Sequence, residues 1–194
     1  IVGLSLVAGM LVTATVTPAI AVSGAAASSA ITMFNGLPSY LEIGELMQPS
    51  TIYYTSPEGA PVELATFFDQ DREPVSFDNV APVMYDAILS SEDPRFYEHG
   101  GIDMIGTARA ILKTYTGGNV QGGSSISQQY VKNVQVQACE SKAKNDEDLK
   151  SCYDEAVTSD GTSGMARKLQ EMRYAIELEK QYSKQDILLG YLNI

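Results

Sequence analysis

The stretch SSEDPRFYEHGGID, residues 90–103, places four acidic side chains around His99, the only histidine of the chain. These acids are Glu92, Asp93, Glu98 and Asp103. Neighbouring carboxylates repel one another, so the cluster does not stabilise a fold by itself. A charged surface loop, a proton-transfer site and a metal site each account for part of the pattern. We therefore take this stretch as the first candidate site.

The segment before it, residues 77–93, predicts a helix that ends at this candidate site. Asp78 or Asn79 is a suitable N-cap, and Pro82 fits the first turn. The helix delivers Glu92 at its C-terminal end, where the helix macrodipole disfavours a negative charge. That position suits a proton acceptor better than a structural glutamate.

A glycine-rich segment, residues 117–133, predicts the start of another helix. Ser125 and Gln128 have the spacing of a capping box, and Gln128 and Lys132 share one helix face. A helix N-terminus with hydroxyls, amides and one lysine suits a phosphate, although many ordinary helices begin in the same way. The spacing of a P-loop is absent.

Residues 165–181 predict a third helix. Its apolar stripe, expected to lie in the core, consists of Met165, Leu169, Met172 and Ile176. Arg167 and Lys168 precede Glu171 by four and three residues, a spacing that also fits ordinary salt bridges along a helix. A fourth helix begins at Ser183. Residues 50–68 predict a hairpin around Ser-Pro-Glu-Gly, so the fold class is mainly α with a small β-hairpin.

The first 41 residues differ in composition from the rest, because no charged residue occurs before Glu42. Residues 1–22 are apolar and would span about 33 Å as a helix, which is enough to cross a bilayer core. We expect a transmembrane signal-anchor helix there, followed by a juxtamembrane connector at residues 23–50. A signal-peptide core and a buried helix are the alternatives. The net charge of −11 argues against a nucleic-acid partner.

The two cysteines, Cys139 and Cys152, lie in a polar, acidic stretch. A disulfide between them would close a short loop and would indicate an oxidising, extracytoplasmic environment. Two reduced surface thiols are the alternative. A zinc site is disfavoured, because the chain has one histidine and no CxxC motif.

Four stretches in this order resemble the first four motifs of the peptidoglycan glycosyltransferase domain of class A penicillin-binding proteins. They are EDPRFYEHGGID (92–103), GGSSISQQYVKN (122–133), RKLQEMRYAIELE (167–179) and YSKQDILLGYLN (182–193). The resemblance implies a lysozyme-like glycosyltransferase domain at residues 51–194, preceded by one transmembrane helix. The acidic, cysteine-containing segment 134–164 is longer than in many members. The fifth motif is missing, so we expect a domain truncated at its C-terminus and a transpeptidase domain downstream.

The resemblance also implies a reaction. The family elongates glycan strands from lipid II, a disaccharide-pentapeptide on an undecaprenyl pyrophosphate, with inversion at the anomeric carbon. By resemblance Glu92 is the general base, and Glu171 is the second functional glutamate. Asp93, Phe96 and His99 would shape the loop beside the substrate.

The remaining implied positions concern the pyrophosphate leaving group. The substrate-binding residues implied here are Ser124, Gln128, Gln129, Lys132, Asn133, Arg167 and Lys168. A divalent metal, Mg²⁺ or Mn²⁺, at the diphosphate is a further expectation, with Glu171 either holding it or positioning the basic groups.

The implied partners are lipid II, the growing glycan strand, the cytoplasmic membrane and a cell-wall synthesis complex. The implied location is the cell membrane, with a single span and the catalytic domain on the extracytoplasmic side. Two alternatives stay open: a lysozyme-like muramidase or lytic enzyme, and a catalytically inactive membrane-anchored scaffold.

Overall fold

The computed structural model describes residues 28–44, 46, 48–68, 70–115, 122–158 and 161–194. The transmembrane helix expected at residues 1–22 lies outside this part of the chain. Within it, no helix combines the length and the apolar character needed to cross a membrane. The chain divides into two compact units, residues 1–38 and 39–194. In the first unit residues 28–36 are helical (α1).

The second unit begins with the predicted hairpin. Strands β1 (Ser50–Thr55) and β2 (Pro61–Phe67) pair antiparallel, with a bulge between Ile52 and Tyr53. The turn closes through a hydrogen bond from the Gly59 N–H to the Ser56 carbonyl at 2.9 Å. Gly59 has φ of 82°, a left-handed conformation that favours glycine. The structure therefore confirms the hairpin and its turn.

The rest of the second unit is helical, as the fold class predicted. A 3₁₀ turn at Phe77–Asn79 precedes six helices: α2 (Pro82–Glu92), α3 (Met104–Tyr115), α4 (Ile126–Lys142), α5 (Asp146–Val157), α6 (Gly161–Gln181) and α7 (Lys184–Asn193). The predicted cap of α2 is wrong. Asp78 and Asn79 belong to the 3₁₀ turn, and the N-cap is Ala81, because the helix begins only at Pro82.

Helix α4 is the centre of the core and packs against α5, α6 and α7. Its buried apolar residues are Ile126, Tyr130, Val131 and Val134, which meet Phe96, Ala175, Leu178, Ile187 and Leu188. A capping box begins α4 at Ser125, as the sequence predicted, and α7 begins after Ser183 at the predicted place, where a second capping box forms with Asp186. The first turn of α4 is thus both capped and buried, which fixes the residues that precede it.

The predicted apolar stripe of α6 is wrong at its N-terminal half. Met165 is 68% exposed and Leu169 is 39% exposed. The buried face instead carries Gly164, Glu171, Ala175 and Leu178. The apolar pattern missed this face because it contains a glutamate, which is buried only because cations on the same helix compensate its charge.

The acidic segment 134–164 is more ordered than its composition suggests. Its first part, residues 134–142, continues α4, and α5 follows after a short connection. Cys139 faces the interior at 4% exposure. It forms a disulfide with Cys152 in α5, with the two Cα atoms 5.6 Å apart.

Candidate active site

Glu92 is the last residue of α2, and its carboxylate is exposed. Gln129 Nε2 donates to Glu92 Oε2 at 3.1 Å. The other amide atom of Gln129, Oε1, accepts a hydrogen bond from the Tyr191 hydroxyl at 3.1 Å. Burial and the nearby charge of Glu92 raise the pKa of Tyr191, which stays a neutral donor. Glu92 is therefore oriented by an amide that is itself fixed, while its carboxylate remains open to solvent.

Asp93, the next residue, is 4% exposed and is a structural acid. Its Oδ2 accepts the Ile126 N–H at 3.1 Å, and its Oδ1 lies 2.9 Å from His99 Nε2. The other ring nitrogen of His99 contacts the carbonyl of Gly100. Asp93 thereby joins the end of α2 to the first turn of α4, which places Glu92 beside Gln129.

The loop after Asp93 is packed tightly against the core. Phe96 is 1% exposed, meets His99 edge to face, and lies under the Lys184 ammonium at 4.2 Å from the ring centroid. Gly101 lies so close to the backbone of Ala175 in α6 that a Cβ atom would be 2.3 Å from its carbonyl carbon. The Ser125 hydroxyl donates to the Gly101 carbonyl at 2.7 Å. These contacts make the loop a rigid support for the neighbouring glutamate.

Asp103 begins α3. Its Oδ1 accepts the N–H groups of Ile105 at 3.1 Å and Gly106 at 2.9 Å, and it pairs with Arg95. Burial alone would raise the pKa of Asp103, but the Gly106 N–H and the Arg95 guanidinium together hold it below its ordinary value. Two of the four acids around His99, Asp93 and Asp103, thus have structural partners, whereas the Glu92 carboxylate is hydrogen-bonded only by neutral donors.

Glu171 forms a second group, on α6. It is 2% exposed, and Arg167 Nη1 donates to its Oε2 at 2.6 Å while Lys168 Nζ pairs with its Oε1. Lys168 Nζ also donates to the Ser124 hydroxyl at 2.6 Å. Arg167 Nε donates to the carbonyl of Thr158 at 2.6 Å. Glu171 therefore orients two cations toward the residues just before α4.

A cleft of about 180 Å³ lies at the N-terminus of α4. Glu92 and Ser124 both line it, together with the exposed cation Arg109. The two hydrogen-bonded groups, Glu92 with Gln129 and Glu171 with Lys168 and Ser124, therefore meet in one region of the structure.

The other predicted residues of α4 behave differently from one another. Gln128 is buried, and its Oε1 accepts the Ser125 N–H, so its amide oxygen belongs to the helix cap. Lys132 and Asn133 are partly exposed. Neither has a hydrogen-bond or ion-pair partner within the part of the chain that the structure describes, which leaves the Lys132 ammonium open to a ligand.

Neither acidic group of this region fits a divalent metal well. Both oxygens of Glu171 face cations, and a metal ion beside Arg167 and Lys168 would be repelled. Ligand atoms of Asp93, His99 and Asp103 lie within 4.8 Å of one another. Their lone pairs, however, are directed at the Ile126 N–H, the α3 cap and Arg95.

Several contributors were not predicted from the sequence. Tyr191 holds Gln129 from a position 62 residues away in the sequence. Thr158 and Arg109 were not considered at all. Contacts across such separations leave no periodic signal, so only the fold brings these residues to the site.

The arrangement has the parts of a group-transfer site. An accessible carboxylate can accept a proton, and oriented cations near the same cleft can stabilise a developing negative charge. It combines an accessible carboxylate at the C-terminus of α2 with cations in α6 that lie beside the N-terminus of α4.

Comparison with known proteins places this chain in a family. A family model described as Transglycosylase matches residues 60–194. This covers well over half of the chain, so the chain belongs to the transglycosylase family.

Individual relatives agree with that assignment. The chain is 36% identical over 132 residues to Penicillin-binding protein 1F of Bacillus subtilis (strain 168), covering 68% of this chain and 15% of that protein. It is 36% identical over 142 residues to a Monofunctional glycosyltransferase of Staphylococcus haemolyticus (strain JCSC1435), covering 73% and 44%. A Monofunctional glycosyltransferase of Staphylococcus aureus (strain JH9) is 39% identical over 119 residues, covering 61% and 36%. The chain thus spans less than half the length of these relatives.

Proposed function

We propose that this chain carries the active site of a peptidoglycan glycosyltransferase that extends glycan strands from lipid II with inversion. The family membership and the names of the relatives support glycosyl transfer in peptidoglycan synthesis. The observation that carries the proposal is the contrast within one region: an exposed Glu92 on neutral donors, and a buried Glu171 that orients two cations.

In this proposal Glu92 is the general base. Its Oε1 accepts only a weak hydrogen bond from Ser91 at 3.4 Å, so that oxygen can receive the proton of the acceptor sugar 4-hydroxyl. The hydroxyl oxygen then attacks the anomeric carbon, and the bond to the pyrophosphate oxygen breaks. Gln129 orients the carboxylate, and because its amide is uncharged it leaves the negative charge of Glu92 in place.

The leaving pyrophosphate gains negative charge as that bond breaks. Arg167, Lys168 and Lys132 are the cations we assign to it, with the Ser124 hydroxyl as a further donor. Arg167 can take part because its Nη2 has no partner among the described residues. A divalent Mg²⁺ or Mn²⁺ remains a proposal for the diphosphate itself, whose oxygens would supply most of the ligands.

The location is proposed on the same basis. The Cys139–Cys152 disulfide fits an oxidising compartment, which supports a catalytic domain on the extracytoplasmic side of the cell membrane. The proposal also includes three features of the whole protein: a single membrane span, a cell-wall synthesis complex and a downstream transpeptidase domain. Radiolabelled or fluorescent penicillin would test the last of these in the full-length protein.

The experiment that tests the proposed function uses the full-length protein with fluorescent lipid II. The expected product is a ladder of glycan strands that a muramidase digests. The reaction is run with and without added chelator, and a lower yield of strands with chelator would show a metal requirement. A second reaction with preformed glycan polymer is the control. Cleavage of the polymer without extension of lipid II would favour the muramidase alternative, and no reaction with either would favour the inactive scaffold.

A further inference from the structure

Arg167 is held from outside its own helix. Its Nε donates to the Thr158 carbonyl at 2.6 Å. Thr158 is the C-cap of α5, where its N–H donates to the Asp154 carbonyl at 2.9 Å. The last carbonyl groups of a helix lack partners within the helix and carry partial negative charge, so they attract a guanidinium. The end of α5 therefore fixes the direction of the Arg167 side chain.

Helix α5 depends on α4 for its position. None of its residues is buried, so apolar burial contributes little to holding it. Its main packing contacts with another element are with α4, to which the disulfide from Cys152 to the buried Cys139 also links it. The disulfide thus connects the rigid core of the domain to the helix that ends at Thr158.

We propose that the Cys139–Cys152 disulfide is a positioning device for Arg167, acting through α5 and the Thr158 carbonyl. This inference rests on the proposed function, because it concerns the direction of a cation assigned to the diphosphate. While Nε is held by Thr158 and Nη1 by Glu171, the guanidinium has one orientation and Nη2 remains for the ligand. Without the disulfide α5 is free to shift, and Arg167 keeps only Glu171 as a fixed partner.

A dithiol reagent such as dithiothreitol reduces the Cys139–Cys152 disulfide in two exchange steps. One thiolate of the reagent attacks a sulfur of the bridge, which forms a mixed disulfide and frees one cysteine thiolate. The second thiolate of the reagent then closes its own ring and frees the other cysteine. Two electrons and two protons pass from the reagent to the protein, and Glu92 takes no part.

The test measures kcat and KM of the full-length protein with lipid II before and after reduction, with free thiols counted by mass spectrometry. We expect kcat to fall on the order of fivefold or more, because a misplaced catalytic group costs turnover, while KM changes less. The variant Cys139→Ala/Cys152→Ala should show the low kcat without reductant and should not respond to it. This variant also controls for disulfides elsewhere in the full-length chain.

The decisive comparison repeats the reduction in an Arg167→Ala background. If the bridge acts through Arg167, the two effects are not additive, and reduction should lower the residual kcat by less than about twofold. An equal proportional loss in both backgrounds would show that the bridge supports the fold in general and would overturn the proposal. An unchanged kcat with both thiols free would do the same.

Hydrogen exchange supplies a measurement that does not depend on the reaction. After reduction, amides in residues 161–168 should exchange faster, while the hairpin at residues 50–67 should not change. Unchanged exchange at the start of α6 would overturn the positioning role. If the oxidised protein does not extend lipid II, the proposed function fails, and hydrogen exchange alone then decides whether the disulfide positions this region.

Discussion

The two glutamates of the site lie in opposite environments. Glu92 is exposed at a helix C-terminus and has only neutral donors, whereas Glu171 is 2% exposed and has a cation at each oxygen. The Glu171 carboxylate orients Arg167 and Lys168, whereas the Glu92 carboxylate is open to an incoming hydroxyl group. In the proposed function this difference gives proton transfer to Glu92 and the organisation of charge to Glu171.

The largest expected effect is on turnover at Glu92. Glu92→Gln keeps the shape of the side chain and removes its basicity, so glycan synthesis should fall roughly a hundred- to ten-thousand-fold. The free energy of unfolding should change by less than about 0.5 kcal/mol, because the carboxylate is exposed and opposed by the helix dipole. Initial rates with lipid II and urea unfolding measure the two quantities.

The control for this prediction is Glu98→Gln, an exposed acid in the same loop. It should keep at least half of the wild-type rate. A Glu92→Gln protein with near wild-type turnover would show that the contrast between the two glutamates is not catalytic.

Glu171→Gln should affect stability as well as turnover. It leaves Arg167 and Lys168 without a charged partner in a partly buried region, which we expect to cost roughly 2 kcal/mol of unfolding free energy. Turnover should fall too, because both cations lose their orientation. Glu177→Gln, on the same helix, is the matched control, because it also removes a carboxylate paired with two cations, Arg173 and Lys180, but at a more exposed position where each pair is worth about 0.5 kcal/mol. Equal losses of stability at the two positions would contradict the buried, organising role of Glu171.

The contrast also shows how much of the site the sequence could predict. Local patterns correctly indicated the hairpin turn, the capping box of α4, the start of α7 at Ser183 and the end of α2 near Glu92. The buried face of α6 was mispredicted, because periodicity counts Glu171 as polar and cannot see that Arg167 and Lys168 compensate it. Contacts such as Tyr191 with Gln129 depend on packing between α4 and α7, and no local pattern contains them.

Tyr191→Phe sharpens the account of Glu92 with a smaller effect. The variant removes the hydrogen bond to Gln129 and keeps the ring, so the amide that orients Glu92 loses the hydrogen bond that fixes it. A neutral hydrogen bond contributes about 1 kcal/mol, which corresponds to about a fivefold fall in kcat. Tyr182→Phe, which changes an exposed ring, is the control.

The role of Tyr191 can be separated from general packing by adding Gln129→Ala. If Tyr191 acts through Gln129, Tyr191→Phe should have no further effect on kcat in that background. An effect of the same size with and without Gln129 would show that Tyr191 supports the core and not the base.

The smallest expected effect concerns Asp103, whose charge we expect to stabilise the fold and to take no part in the reaction. Asp103→Asn keeps an oxygen that can cap α3 and loses the charge paired with Arg95. Because both side chains are partly exposed, the variant should be less stable at pH 7 by less than about 1 kcal/mol.

The folded pKa of Asp103 is lowered from its ordinary value of 3.8, so its contribution to stability is present above pH 3.8 and is lost as pH falls through the lower folded value. Urea unfolding of both proteins between pH 7 and pH 3 should therefore show a difference that is constant near neutrality and shrinks in acid. The other carboxylates titrate alike in both proteins, so they cancel in this difference. A difference in unfolding free energy that persists or grows below pH 3.8 would mean that Asp103 stabilises the fold only by capping α3, and that its pairing with Arg95 contributes nothing.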